Sequence, residues 1–207
     1  MSTGAAPSAA AGGLLPVLVP AMSTFVRIHG LGNGALWFGP APGGPPAYRF
    51  DAPAGQYRTL YGAEQLPGAF AETVLRRARR ILARDYVEQR QWSVIQTLRD
   101  LKLAKLYDNG LVSHGVTADI CAGDDYRDPQ AFAAALHAAY PDCDGIAYRA
   151  RHNNGEICYA LFDRVDLANL KVIATRMFKN EHAVTEDMMR IHNASWDPMT
   201  ALPPPPP

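Results

Sequence analysis

The chain of 207 residues has little cysteine and no excess of charge of either sign. Its three cysteines, Cys121, Cys143 and Cys158, form no CxxC pair, which argues against a disulfide framework and against a structural zinc site. We interpret them as buried side chains of a protein in the reducing cytoplasm. Because 20 basic residues balance 20 acidic ones, there is no long-range attraction for nucleic acid or an anionic membrane, and neither is expected as a direct partner.

Common motifs of nucleotide-dependent and metal-dependent enzymes are missing as well. The chain contains no GxGxxG, no GxxxxGKS/T, no HExxH and no GxSxG. Rossmann, P-loop, zinc-protease and α/β-hydrolase sites are therefore not predicted. The six histidines show no spacing typical of metal ligands. We expect no metal site and no prosthetic cofactor.

Neither end of the chain has the composition of a folded element. Residues 1–21 are rich in Ala, Gly and Pro and are expected to form a disordered or loosely docked arm, and residues 201–207 a polyproline tail. The apolar segment 14–22 is too short to span a bilayer and follows no basic residue, so neither a membrane span nor a secretory signal is predicted. The folded domain is expected over residues 22–200.

Between the ends, short β-prone segments and helical periodicities follow one another without a strict βαβ order. This mixture is typical of a single α+β domain with small mixed sheets and flanking helices. A Gly- and Pro-rich loop over residues 30–46 has the length of a functional or lid-like loop. The predicted strands are 24–29, 56–61, 98–107, 145–148, 157–162 and 170–174, and the predicted helices are 67–89, 129–139 and 185–193.

Four segments carry a resemblance to a known family. They are Phe25–His29 with Trp37–Gly39, Arg49–Tyr61 followed by Ala69–Thr73, Asp144–Asn153, and Cys158–Asp163. In this order, over about residues 25 to 165, they resemble RES domains, where an arginine precedes a Leu-Tyr strand end and a helix with a glutamate. The resemblance implies an α+β fold related to ADP-ribosyltransferases. It also implies NAD as the substrate, cleaved between nicotinamide and ribose, in toxins that pair with an Xre-like antitoxin protein.

The RES family is named for an arginine, a glutamate and a serine. By resemblance, Arg49 and Glu72 are the first two, and Ala150 stands at the position of the serine. Cleavage of an N-glycosidic bond passes through an oxocarbenium-like state, which a carboxylate such as Glu72 can stabilise. Alanine offers no hydroxyl, and the loss of one neutral hydrogen bond costs about 0.5–1.5 kcal/mol. Whether natural or introduced, the alanine therefore predicts an attenuated enzyme.

Five side chains are expected to bind the dinucleotide. Arg27 and Arg49 suit bidentate binding of phosphate, although either could instead form a surface salt bridge. Tyr57 and Tyr61 fall on one face of a predicted strand, where Tyr61 can stack on nicotinamide or ribose, although a core tyrosine shows the same pattern. Trp37 can cover the ligand from the loop or attach the loop to the core.

Three functions remain open at this point. The first is an NAD-degrading toxin, either a glycohydrolase or a phosphorylase. The second is ADP-ribosyl transfer to a host protein, for which the sequence contains no recognisable target-binding element. The third is a catalytically silent module that binds a nucleotide or a protein partner, which Ala150 favours.

Overall fold

The computed structural model describes residues 13–76 and 80–200 of the chain, and it confirms the α+β class. The strands are β1 (Pro16–Val19), β2 (Thr24–Gly30), β3 (Thr59–Ala63), β4 (Ile81–Leu82), β5 (Arg90–Thr97), β6 (Leu101–Leu106), β7 (Gly145–Ala150), β8 (Asn153–Phe162), β9 (Leu170–Met177) and β10 (Ser195–Trp196). The helices are α1 (Leu66–Thr73), α2 (Arg84–Glu88), α3 (Asn109–Ser113), α4 (Asp119–Ala122), α5 (Arg127–Ala139) and α6 (His182–Ile191).

Eight of these strands form one large mixed sheet, where the sequence predicts small ones. Their order across the sheet is β1-β6-β7-β8-β3-β2-β5-β9. Neighbouring strands are antiparallel except β6 and β7, which are parallel and are joined through α3, α4 and α5. A parallel pair requires such a long crossover connection. β4 and β10 form a separate two-stranded parallel pair.

The two faces of the large sheet carry different parts of the core. On β7, Ile146 and Tyr148 belong to one apolar cluster and Ala147 to another, because successive side chains of a strand point to opposite faces. The larger cluster includes Phe70 of α1 and Phe132 of α5, both fully buried. Each such side chain contributes about 1.5–3 kcal/mol. Helices therefore cover this face.

The segment interpreted as an N-terminal arm is in part a strand of the sheet. β1 pairs antiparallel with β6, and Val19 is buried, so the expectation of a loosely docked arm is wrong for this part. The prolines Pro16 and Pro20 argue against a strand in this segment, because proline cannot donate a hydrogen bond to a neighbouring strand. However, β1 lies at the edge of the sheet, where proline is tolerated. Residues 1–12 and the predicted polyproline tail, 201–207, lie outside the described residues.

The predicted helix over residues 67–89 is wrong as a single element. α1 ends at Thr73, and β4 and α2 follow within the same range. A single helix would place Val74 and Ile81 on one apolar face, but only Val74 is buried, whereas Ile81 is 60% exposed. Pairing of β4 with β10 determines the conformation of the second half, a tertiary contact that helical periodicity does not report. Residues 77–79 lie outside the described residues.

Strand β5 was not predicted, because polar residues interrupt its apolar pattern. It lies between β2 and β9 and pairs with both. Its buried polar side chains are satisfied by hydrogen bonds: Ser93 Oγ lies 2.8 Å from Thr175 Oγ1, and Thr97 Oγ1 donates to the Pro20 carbonyl at 2.9 Å. Buried hydroxyls with partners are compatible with a central strand, although they break the alternation that sequence analysis seeks.

A buried carboxylate holds the turn that precedes β3. Asp51 is fully buried, and its Oδ2 accepts hydrogen bonds from the backbone N–H groups of Ala47 (2.9 Å) and Tyr48 (2.8 Å). The Tyr61 hydroxyl donates to Asp51 Oδ1 (3.0 Å) and accepts from the Phe50 N–H (2.9 Å). Burial, and secondarily the charge of Asp51, raises the pKa of Tyr61 well above its ordinary value. The hydroxyl therefore stays protonated and keeps its role as a donor.

Gly145→Ala tests the close approach of β7 and β8. A Cβ at Gly145 would lie 2.3 Å from the carbonyl oxygen of Ala160 and 2.9 Å from Leu161 Cα, and these backbone atoms cannot move without separating the strands. We expect the free energy of unfolding, measured by chemical denaturation, to fall by about 1–3 kcal/mol, the usual cost of overpacking. In the control Gly155→Ala the nearest atom is 3.6 Å away. Equal stability of the two variants would contradict this packing.

Tyr61→Phe tests the hydrogen bonds around Asp51. Removing the hydroxyl leaves the Phe50 N–H and Asp51 Oδ1 without that partner, and we expect the free energy of unfolding to fall by about 1–3 kcal/mol. The midpoint of urea denaturation measures the change. Tyr86→Phe, a matched substitution at a side chain that is 39% exposed, is expected to change the stability by less than about 0.5 kcal/mol. The role given to Tyr61 is wrong if its variant is as stable as that control.

Candidate active site

A cleft of about 840 Å³ is lined by residues of β2, β3, α1 and β7 and of the loop between β2 and β3. Its volume is within the range of about 300–1,000 Å³ that small-molecule sites occupy. The loop between β2 and β3 and the helix α1 complete its walls. The polar and aromatic residues that determine its chemistry are Arg27 and His29 of β2, Tyr61 of β3, Glu72 of α1, Tyr148 of β7, and Trp37, Tyr48 and Arg49 of the loop.

Arg27 is a buried cation that forms no ion pair in the described part of the chain. Its side chain is 8% exposed, and its Nε and Nη1 atoms have no hydrogen-bond partner among those residues. Burial lowers the pKa of Arg27 from its ordinary value to about 10, so the guanidinium stays charged near neutral pH. Burying a charge without a partner is unfavourable. An anion bound in the cleft would supply the missing acceptors.

Arg49 faces the same cleft in a similar state. Its side chain is 7% exposed, and its Nη1 atom is buried without a hydrogen-bond partner within the described ranges. The guanidinium carbon lies 4.8 Å from the ring centroid of Tyr126, where a cation–π interaction compensates part of the desolvation. Arg76 donates to the Tyr126 hydroxyl at 3.1 Å and so holds that ring. Two guanidinium groups with unsatisfied donors therefore line one cleft, which suits a phosphate-type anion.

Glu72 is the one carboxylate that lines the cleft in the described part of the chain. Its Oε1 accepts a hydrogen bond from the backbone N–H of Arg151 at 2.7 Å, and its Oε2 accepts a longer one from the Tyr148 hydroxyl at 3.4 Å. Burial, and secondarily the charge of Glu72, raises the pKa of Tyr148 well above its ordinary value. The hydroxyl thus remains a donor, and the carboxylate presents a fixed negative charge to the cleft.

Aromatic side chains form one wall of the cleft. Tyr61 and Tyr48 pack edge to face, with ring centroids 5.4 Å apart. Because Asp51 and a backbone N–H engage the Tyr61 hydroxyl, its ring is the part that can contact a ligand. Trp37 also lines the cleft, is 40% exposed, and packs closely over Gly39. Stacking by Tyr61 and covering of the ligand by Trp37 stay predictions.

His29 orders the rim of the cleft where β2 ends. Its Nδ1 lies 2.8 Å from the Asn33 carbonyl oxygen, and its Nε2 lies 2.9 Å from Ser93 Oγ. A carbonyl oxygen can only accept, so Nδ1 carries the proton and Nε2 accepts from the serine hydroxyl. Burial, and secondarily the charge of Arg27, lowers the pKa of His29, in agreement with a neutral ring. His29 thereby ties the start of the Gly-rich loop to the sheet.

Tyr57, a predicted ligand-binding residue, does not line the cleft. It is 3% exposed and packs on His137 and Phe162, with ring centroids 4.5 Å and 4.7 Å away. Its hydroxyl donates to the Phe50 carbonyl oxygen at 3.0 Å. The strand alternation behind the prediction does not extend to this residue, because β3 begins only at Thr59. The structure therefore makes Tyr57 a core residue that supports the turn.

Ala150, at the position where the resemblance predicts a serine, is fully buried and lies outside the cleft lining. It belongs to the same apolar cluster as Tyr148 of β7. The next residue, Arg151, donates its backbone N–H to Glu72. The position is therefore adjacent along the chain to a group that holds the carboxylate.

Several lining residues were missed by the sequence analysis. Tyr148 and Arg151 belong to the segment Asp144–Asn153, so the motif that carried the resemblance could have pointed to them. Tyr126 precedes α5 in a segment without any motif, and only the fold places its ring under the guanidinium group of Arg49. His29 was not predicted as a site residue, although it lines the rim.

Three further properties bear on the chemistry of the site. The three cysteines are free and buried, as predicted. Among the described residues, no group of three His, Cys, Asp or Glu side chains could hold a metal ion. None of the helices in residues 13–76 and 80–200 combines the length and the apolar character needed to cross a membrane.

Comparison with known proteins agrees with this fold. A chain in the crystal structure of the M. tuberculosis MbcT–MbcA toxin–antitoxin complex is similar with a TM-score of 0.63 and 19% sequence identity, over 84% of this chain and 92% of that chain. This likeness shows a shared fold. No curated protein matches the chain. The family model of the RES domain matches residues 24–180. The protein therefore belongs to the RES domain family.

Proposed function

We propose that this protein is a toxin that cleaves NAD at the bond between nicotinamide and ribose. The observation that carries the proposal is the meeting, in one cleft, of two buried guanidinium groups with unsatisfied donors and one carboxylate held in place. The pyrophosphate of a dinucleotide can bind the two guanidinium groups, and its reacting ribose can lie beside the carboxylate. Membership of the RES family supports the proposal, because the resemblance implies NAD cleavage.

Arg27 and Arg49 are the proposed pyrophosphate ligands. A planar guanidinium matches the geometry of phosphate oxygens, and such bonds are about twice as strong as neutral ones. Both groups are already desolvated in the protein. The ligand therefore gains their interaction without a further loss of hydration on the protein side, and bound phosphate relieves their unsatisfied donors.

Glu72 is the proposed catalytic residue. When the nicotinamide–ribose bond breaks, positive charge develops on the ribose, and a carboxylate nearby stabilises that charge. Nicotinamide leaves as a neutral molecule from a cationic precursor, so the reaction needs no acid to protonate it. Hydrogen bonds from the Arg151 N–H and the Tyr148 hydroxyl orient Glu72 before the substrate arrives. Such preorganisation avoids a reorganisation cost during the reaction.

The acceptor in the proposed reaction is water or phosphate, which makes the protein a glycohydrolase or a phosphorylase. ADP-ribosyl transfer to a protein is the alternative. Product analysis separates the three: free ADP-ribose, its 1-phosphate, or label on protein. We favour reaction with free NAD, because neither the sequence nor the cleft contains an element that we can assign to a protein substrate.

We further propose a cytoplasmic protein that is controlled by an antitoxin of the Xre-like type. NAD is abundant in that compartment, and unrestrained cleavage would stop growth. Support for a partner comes from the structural likeness to a chain of a toxin–antitoxin complex. A protein that covers the cleft would block the access of NAD to Arg27, Arg49 and Glu72.

Glu72→Gln tests the catalytic role of the carboxylate. Glutamine keeps an oxygen for the Arg151 N–H but loses the negative charge, and we expect the rate of NAD loss to fall by about 100-fold or more, as for other preorganised charge-stabilising groups. Chromatography of nicotinamide and ADP-ribose products over time measures the rate.

Glu64→Gln is the matched control for that experiment. Glu64 also accepts a hydrogen bond from a tyrosine, Tyr159, at 2.7 Å, but it does not line the cleft. We expect this variant to keep the rate of the unchanged chain. If Glu72→Gln cleaves NAD as fast as Glu64→Gln, the proposed role of Glu72 is wrong.

Ala150→Ser tests whether the alanine attenuates the protein. One neutral hydrogen bond contributes about 0.5–1.5 kcal/mol, and if the serine hydroxyl acts as the resemblance implies, this corresponds to a rise of roughly 2- to 12-fold in NAD turnover. Ala147→Ser, on the opposite face of the same strand, should give no rise. Equal rates for the two serine variants would contradict the attenuation. Absence of NAD cleavage in every form would instead support a silent binding module.

A further inference from the structure

The cleft continues beyond the groups that the proposed function uses. Its far end is formed by β4, α2 and the start of β5, where Ile81, Tyr86, Gln89 and Arg90 line it. Ile81 is 60% exposed and Tyr86 is 39% exposed. Large apolar side chains exposed inside a cleft are typical of a surface that a ligand covers. The roles proposed for Arg27 and Glu72 do not involve the residues at this end of the cleft.

Strand order places this end on the far side of Arg27 from the reacting groups. Tyr148 lies on β7, Tyr61 on β3, Arg27 on β2 and Arg90 on β5, and the order of strands is β7-β8-β3-β2-β5. Tyr148 and Arg90 therefore belong to strands that are separated by three others in the sheet, and β2, which carries Arg27, is one of those three. A ligand whose anion binds Arg27 can therefore extend to both ends of the cleft.

Tyr86 and Arg90 contact each other at this end and form one unit. The guanidinium carbon of Arg90 lies 3.7 Å from the centroid of the Tyr86 ring, and Arg90 also donates a hydrogen bond to the Tyr86 carbonyl oxygen. Aromatic rings and arginine planes are the side chains on which nucleic-acid bases stack. Gln89 lies beside them, and its backbone carbonyl accepts from the Leu31 N–H at 3.3 Å, which ties this end to the Gly-rich loop.

We propose that Tyr86, Gln89 and Arg90 form a base-binding subsite, which takes the adenine of a dinucleotide while its pyrophosphate binds Arg27. The Tyr86–Arg90 unit stacks on the base, and the Gln89 amide can pair with the polar edge of adenine, as amide side chains do in other adenine contacts. This inference rests on the proposed function and deepens it. The subsite makes the protein selective for NAD over a mononucleotide that carries nicotinamide alone.

Binding of two small probes to the full chain tests the subsite without catalysis. ADP carries adenine and two phosphates, and inorganic pyrophosphate carries the phosphates alone. We expect calorimetric titration to give a Kd for ADP at least about 5-fold lower than for pyrophosphate, the gain of stacking one base. Tyr86→Ala should remove most of this difference and leave the pyrophosphate Kd unchanged, which also shows that the variant folds.

Tyr107→Ala is the matched control, because Tyr107 also contacts a cation, Lys105 at 4.9 Å, but does not line the cleft. It should keep the ADP preference. The subsite is wrong if the unchanged chain binds both probes equally or if Tyr86→Ala keeps the preference. NAD cleavage that depends on Glu72 would then still uphold the proposed function. Conversely, an ADP preference that depends on Tyr86, without any NAD cleavage, would uphold the subsite and reject the proposed function.

Discussion

Three hydrogen bonds to the buried carboxylate of Asp51 determine the shape of the cleft. Two come from the backbone N–H groups of Ala47 and Tyr48, and the third comes from the Tyr61 hydroxyl on β3. They fix the turn that carries Arg49. Phe50, within the same turn, is fully buried and packs on Tyr148 with ring centroids 5.1 Å apart. The same interaction thus connects the arginine side of the cleft to the tyrosine that donates to the carboxylate of α1.

The buried guanidinium groups show how stability and function oppose each other here. Arg27 and Arg49 lose hydration without gaining hydrogen bonds for all their donors. A chain optimised for stability alone would place apolar side chains at such positions. Their burial has a physical use in a protein of zero net charge, because local charges that are already desolvated bind an anion more strongly than exposed ones. The cleft can therefore attract a phosphate group without a basic surface.

Glu72 is supported by groups that do not include the position of the family serine. One donor is a backbone N–H and the other is the Tyr148 hydroxyl. Both donors are in place although position 150, where the resemblance predicts a serine, is an alanine. Ala150 is fully buried and shares an apolar cluster with Tyr148. The carboxylate therefore keeps its hydrogen bonds without a hydroxyl at this position.

Sequence patterns predicted the RES resemblance and the α+β class, and both are confirmed. They also pointed to Arg27, Arg49, Tyr61, Trp37 and Glu72, which line one cleft and whose roles stay predictions. Short motifs carry this information because they are local properties of the chain. Other features became visible only in the folded chain. It pairs β1 with the sheet despite Pro16, ends α1 at Thr73, and places Tyr57 in the core. Pairing partners and burial depend on distant segments, so no pattern within a single segment could report them.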